Sequence, residues 1–164
     1  MMQDADISEV PGEMGRLQCK WRSEPYGVSQ LTEVVSAFRV FVDWGDVVAL
    51  QAPMGTGKTT FVAALAKVMG AVDAASSPTF ALCQEYPVAQ EGRVLRHLDL
   101  YRIEHESELR NLGWEELMDD PQALTFVEWP ERAADHFPEH AMLLRLERQP
   151  DGLRLASLWV RESV

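Results

Sequence analysis

A single α/β domain, with a mixed parallel and antiparallel sheet flanked by helices, is the fold class this sequence predicts. Three observations predict it. The apolar run "VVALQ" enters a glycine-containing turn and then the helical pattern "KTTFVAALAKVMG", a strand, turn and helix in the order that builds parallel sheets. The strand patterns in "SSPTFALCQEY" and "GRVLRHLDLYR" are too close together for a parallel crossover, which needs about a dozen residues, so they read as an antiparallel hairpin. The tail "AMLLRLERQPDGLRLASLWV" reads as two more antiparallel strands around a "PDG" turn.

The remaining elements follow in order. Residues Met1 to Arg22 are acidic and mixed, carry Pro11, Gly12 and Gly15, and read as a loose leader before a domain spanning residues 23–164. In "SQLTEVVSAFRVFV", Leu31, Val34, Val35, Phe38 and Val42 recur at steps of three and four, the spacing of an amphipathic helix, here opening on a Ser/Thr cap. Asp43 to Asp46 turn the chain. The helix after "VVALQ" stops at Gly70, as helices commonly stop at glycine. "EHESELRNLGWEELMDD" reads as short helices broken at Gly113, and "ALTFVEWPE" as a central strand ending in the acid Glu128.

Composition bounds the function. A chain of 164 residues, 46% hydrophobic and 25% charged, has room for one full core. No apolar run approaches the roughly 20 residues of a membrane span, and the beginning has no export signal, so a cytoplasmic protein with no membrane partner is expected. Cys19 and Cys83 have no metal-site spacing, and Cys83 reads as a small buried residue. The net charge is −11, with lysine only at positions 20, 58 and 67. Such a chain lacks the broad cationic face that binds nucleic-acid backbones, so any tRNA involvement is expected to be indirect.

Inside "QAPMGTGKTTF" is a variant of the phosphate-binding loop GxxxxGK[ST], which makes the expected fold a P-loop NTPase-like domain. Backbone N–H groups from about Gly55 to Thr60 can wrap a triphosphate at the positive end of the following helix. Gly55 and Gly57 stand where the backbone approaches the ligand, Lys58 can bridge β- and γ-phosphates, and the Thr59 hydroxyl can coordinate Mg²⁺. Ala52 replaces the first glycine, which is tolerable if its φ is negative, and Pro53 has no N–H to offer.

Hydrolysis needs a second acid near the metal and a group that orients water. Glu128 ends an apolar strand, and Asp99 ends "VLRHLD" with His97 two residues before it on the same face. The alternative for each acid is a surface acid at a strand end; His97 alone reads as a structural histidine, and Thr79 in "SPT" as either a γ-phosphate switch or a simple turn. Trp129 reads as a core or interface aromatic.

Five stretches stand in order: "MGTGKTTF", "SSPTFAL", "HLDLYRI", "ELRNLGWEE" and "FVEWPER". Together, from about Ser29 to Val160, they resemble the TsaE family, also called YjeE, small bacterial P-loop ATPases of tRNA threonylcarbamoyladenosine (t6A) biosynthesis. The resemblance implies ATP and Mg²⁺ as cofactors and slow hydrolysis. It also implies docking on the TsaD and TsaB proteins, which with TsaC or a related enzyme modify the adenosine beside the anticodon.

By the same resemblance, the loop Met54, Gly55, Thr56, Gly57, Lys58, Thr59 and Thr60 would bind the nucleotide, with Lys58 on the phosphates. Thr59 and Glu128 would serve the metal, Asp99 would act near the attacking water, and Thr79 would lie in the switch. Ser29 and Thr32 fall where the family brings its N-terminal segment to the adenine side, and Gly152 in the C-terminal turn that approaches the nucleotide. The family's loop is commonly "GDLGAGKTT", from which Ala52, Pro53 and Thr56 depart. Arg102, Trp114 and Trp129 are candidate partner contacts. The alternatives are a small-molecule P-loop kinase and a nucleotide-gated binding module with little hydrolysis.

Overall fold

The computed structural model describes residues 14–71, 75–76, 82–88 and 92–163. In chain order they form β1 (Leu17–Arg22), a 3-10 turn (Val28–Gln30), α1 (Leu31–Arg39), β2 (Val47–Gln51), α2 (Lys58–Val68) and β3 (Ala75–Ser76). There follow β4 (Cys83–Val88), β5 (Arg93–Asp99), α3 (Ser107–Asn111), α4 (Trp114–Met118), β6 (Ala123–Glu128), a 3-10 segment (Pro130–His136), β7 (Met142–Arg148) and β8 (Arg154–Arg161).

The strands make one sheet in the order β1, β8, β7, β2, β6, β5, β4, β3. Its centre is parallel, β2 lying between β6 and β7 with β5 beyond β6. Both flanks are antiparallel, through the hairpins β4 with β5 and β7 with β8 and the additions of β3 and β1. The expected mixed sheet and both expected hairpins are therefore present.

Central position explains composition. A strand covered on both faces is apolar throughout, and all six residues of β6 and the first four of β2 are buried. Alternate residues feed two cores. Val48, Leu50, Leu95, Leu124 and Phe126 meet Phe38 of α1 and Phe61 and Leu65 of α2. On the opposite face Val47, Ala49, Leu98, Val127 and Leu143 meet Leu109, Trp114 and Met118 of α3 and α4.

The turns follow local chemistry. At the end of α2, Gly70 takes φ +86°; its N–H donates to the Lys67 carbonyl, and that of Ala71 to Ala66. This is a Schellman stop, which satisfies carbonyls the helix would otherwise strand. Between α1 and β2 the Asp46 carboxylate accepts from the Asp43 N–H at 2.8 Å, closing the expected Asp43–Asp46 turn.

Two expectations need correction. The loose leader does not extend to Arg22, because β1 pairs with β8 from Leu17 onward and the Trp21 ring stands edge-on to Phe38 at 5.6 Å. An edge strand is half solvated, so its sequence keeps a mixed polar character, and ladder hydrogen bonds hold it where apolar pattern does not. Residues 1–13 lie outside the described residues. The Ser/Thr cap of α1 is also absent: Ser29 lies in the 3-10 turn, and the Gln30 side chain accepts from the Gly27 N–H at 2.7 Å.

Candidate functional site

The loop between β2 and α2 has a conformation that glycine makes possible. Gly55 and Gly57 have φ of +76° and +88°, the left-handed region that other residues enter at a cost. Ala52 needs no such freedom, since Trp129 is the one non-glycine residue of positive φ among the described residues. Its methyl group packs at the edge of the core under α2.

The other departures in the loop are coupled. Thr56, 2% exposed, donates both its hydroxyl, at 2.6 Å, and its backbone N–H, at 3.2 Å, to the Pro53 carbonyl. The loop entry is thereby folded onto itself, and the Thr56 N–H is occupied within it. Met54, Gly55, Thr59 and Thr60 are exposed at the loop crest and the start of α2. The first-turn N–H groups of α2 have no partner within the helix and point along its positive end, a ready anion site.

Both candidate acids lie at the carboxyl ends of parallel strands beside this loop. Glu128 is in register with Leu50 of β2 on one side and Asp99 of β5 on the other. In open α/β sheets this edge is where ligands bind. Glu128 is buried, and its Oε1 lies 3.9 Å from the Lys58 ammonium. Its Oε2 lies 3.4 Å from His97 Nε2, a nitrogen with no hydrogen bond among the described residues. Asp99 is less covered and accepts from the Tyr101 N–H at 3.0 Å.

Immediately after Glu128 the chain bends at Trp129, with φ 55° and ψ 51°, a conformation that costs a non-glycine residue about 1–3 kcal/mol. The bend packs the indole against Tyr101, the rings tilted by 55° with centroids 5.1 Å apart, and sets its centroid 5.6 Å from Lys58 Nζ. The ring therefore faces the loop lysine, a contact that a reading of Trp129 as core or interface does not include. Trp114 is core: it is buried, its indole N–H donates to the His136 carbonyl at 2.8 Å, and its ring packs on Phe137. Arg102 is exposed.

Ser29, Thr32 and Gly152 are exposed too, and the residue of this flank that reaches the loop is Arg154. Its backbone exchanges two hydrogen bonds with Tyr26, at 2.8 and 2.9 Å. Its guanidinium covers Gly57, so that a β-carbon there would lie 3.4 Å from it. Reasoning from sequence missed Arg154; the available signal was a basic residue heading a mostly apolar strand just after the "PDG" turn. Thr79 lies outside the described residues.

The donor set near Lys58 suits a hard, oxygen-seeking cation. A buried carboxylate and a helix-start hydroxyl are what Mg²⁺ takes from a protein when phosphates and waters supply the rest. Among the described residues no group of three or more His, Cys, Asp or Glu side chains is arranged to hold a metal alone. No helix among the described residues is long and apolar enough to cross a membrane.

Comparison with known proteins agrees with this architecture. The family model described as threonylcarbamoyl adenosine biosynthesis protein TsaE matches residues 27–155. A Bacillus subtilis protein named tRNA threonylcarbamoyladenosine biosynthesis protein TsaE is 33% identical over 139 residues, covering 84% of this chain and 82% of its own length. A protein of the same name from Treponema pallidum is 35% identical over 111 residues, 67% of this chain and 78% of that one. The crystal structure of Bacillus subtilis YdiB superposes with a TM-score of 0.65 at 23% identity, covering 90% of this chain and 87% of that one, a likeness of fold.

Proposed function

This chain belongs to the TsaE family, and from that premise we propose that it binds and hydrolyses ATP as a subunit of the t6A machinery, acting on the TsaD–TsaB complex in the cytoplasm. The observation that carries the reading is the placement of Glu128 within 3.9 Å of Lys58. The phosphate-binding lysine and the second acid converge on one spot at the carboxyl edge of the sheet.

In this proposal Lys58 and the first-turn N–H groups of α2 hold the phosphates, with Met54, Gly55, Thr56, Gly57 and Thr60 forming the cradle. Thr59 and Glu128 would hold Mg²⁺, directly or through its waters, and the ion when bound would supply charge neutralisation for phosphoryl transfer to water. Asp99 orients the attacking water, and Thr79 belongs to the switch segment. Ser29, Thr32 and Gly152 approach the base, steered by the pairing of Tyr26 with Arg154. A chain of net charge −11 meets the modifying proteins and not the tRNA backbone.

The test is calorimetry of ATP binding with Mg²⁺, then phosphate release and t6A yield with purified TsaD, TsaB and the threonylcarbamoyl-forming enzyme. Phosphate release lost in both Lys58→Ala and Asp99→Ala, with t6A turnover dependent on this chain, is the expected result. Equal yield over many turnovers with or without the chain would sink the proposal.

One observation favours a second reading, a nucleotide-gated binding module: the loop spends the Thr56 N–H on Pro53, which has no N–H of its own. Tight ATP binding with no phosphate release, alone or with partners, would select it.

A further inference from the structure

We propose that His97 is a positioning residue for Glu128, holding its carboxylate once Lys58 leaves it for a phosphate. The inference rests on the nucleotide-binding reading above and concerns how that site is kept in order when filled. His97 and Asp99 alternate with Leu98 along β5, and β5 is in register with β6 so that His97 faces Phe126 and Asp99 faces Glu128. His97 therefore lies on the sheet face covered by α2, beneath the same loop that carries Lys58.

The ring is 5% exposed, and its Nε2 is a buried nitrogen with no hydrogen bond among the described residues. Gln84, its register neighbour on β4, accepts from the Tyr86 hydroxyl at 3.1 Å. Among the described residues, Glu128 Oε2 lies within reach of Nε2 at 3.4 Å, a distance that a small rotation turns into a hydrogen bond.

The two carboxylate oxygens are thus divided between two partners of different mobility. Lys58 approaches Oε1 on a flexible stem and must leave to meet a phosphate. His97 is fixed in the strand and stays. With the lysine gone, a buried carboxylate without a donor would be free to turn; an Nε2–H donated to Oε2 keeps Oε1 directed at the nucleotide side. Groups that orient a metal-facing side chain act in this way from behind it.

The experiment compares ATP affinity in Mg²⁺ with affinity in EDTA by calorimetry, for the wild type and for His97→Leu, His97→Gln, Glu128→Gln and the double variant His97→Leu/Glu128→Gln. For His97→Leu the gain in affinity that Mg²⁺ confers should shrink by about 10-fold or more, while affinity in EDTA holds. His97→Gln, which keeps an N–H donor, should recover most of the gain, and the double variant should match Glu128→Gln alone. Equal losses with and without metal, or an additive double variant, would overturn the proposal by making His97 merely structural.

Should His97→Leu not fold, ¹⁵N spectra of the wild-type histidine decide instead. The Nε2 signal should move on adding ATP, with Mg²⁺ or in EDTA, because Lys58 leaves Glu128 for a phosphate in either case; a signal that never moves overturns the proposal. A wild-type protein that binds no ATP defeats the nucleotide reading itself, and one that binds ATP but gains nothing from Mg²⁺ overturns the present proposal with the metal assignment. Full metal gain in a folded His97→Leu defeats the role of His97 alone.

Discussion

Lys58 Nζ stands 3.9 Å from Glu128 Oε1 and 5.6 Å from the centroid of the Trp129 ring, so an acid and an aromatic face hold the loop lysine back toward the sheet. The contact is loose, and the lysine retains some exposure.

Glu128→Gln keeps the shape and removes the charge, freeing Lys58 to turn to solvent. Urea denaturation should show a change within about 1 kcal/mol of wild type, while ATP binding in Mg²⁺ weakens more than binding in EDTA. A loss beyond about 3 kcal/mol, the range for breaking a buried pair, would mean that the pair is a structural element and not a resting position of the loop.

Thr56→Val removes a hydroxyl that donates to the Pro53 carbonyl at 2.6 Å and keeps the volume. The expected cost is about 1 kcal/mol, with faster amide exchange at residues 54–57 than in wild type. Unchanged exchange would show that the backbone N–H of Thr56 suffices to close the loop.

Ala52→Gly tests whether the missing first glycine matters. Because Ala52 keeps a negative φ, glycine gains it nothing in the fold and adds freedom to the unfolded chain, so stability should fall by about 0.4–1 kcal/mol. The ATP dissociation constant should stay within about twofold, which is about 0.4 kcal/mol. A tenfold tighter variant would show that the methyl group blocks the ligand.

The two thiols should separate by pH. Burial, then the nearby Glu85, pushes the Cys83 thiol up, with Arg96 opposing, whereas Cys19 is exposed. The thiolate is the reactive form, so Cys83 holds less of it than an unperturbed thiol at any pH below its own midpoint. Iodoacetamide near pH 8, followed by peptide mass spectrometry, should label Cys19 first, and labelling of Cys83 should go on accelerating above the ordinary thiol range. Preferential labelling of Cys83 would contradict this placement.

Sequence carried the strands that lie centrally and the turns made by single residues. β2 and β6 are legible because burial on both faces demands an unbroken apolar run, and Gly70 and Gly113 because a positive φ has few other occupants. β1 was missed because an edge strand is held by backbone pairing that leaves side chains free to be polar. Cys83, read as buried, is only partly so, since its strand lies one place in from the edge of the sheet.

By itself, then, the sequence determined the α/β class, the order of the hairpins, the glycines and lysine of the loop, and two acids at strand ends. All of these are local patterns or choices forced by backbone conformation. Only the tertiary structure decided that Asp99 and Glu128 are neighbours, that His97 Nε2 faces Glu128, that Trp129 turns its ring to Lys58, and that Arg154 covers Gly57. These contacts depend on strand order and register, and no residue's own propensity records which distant strand will lie beside it.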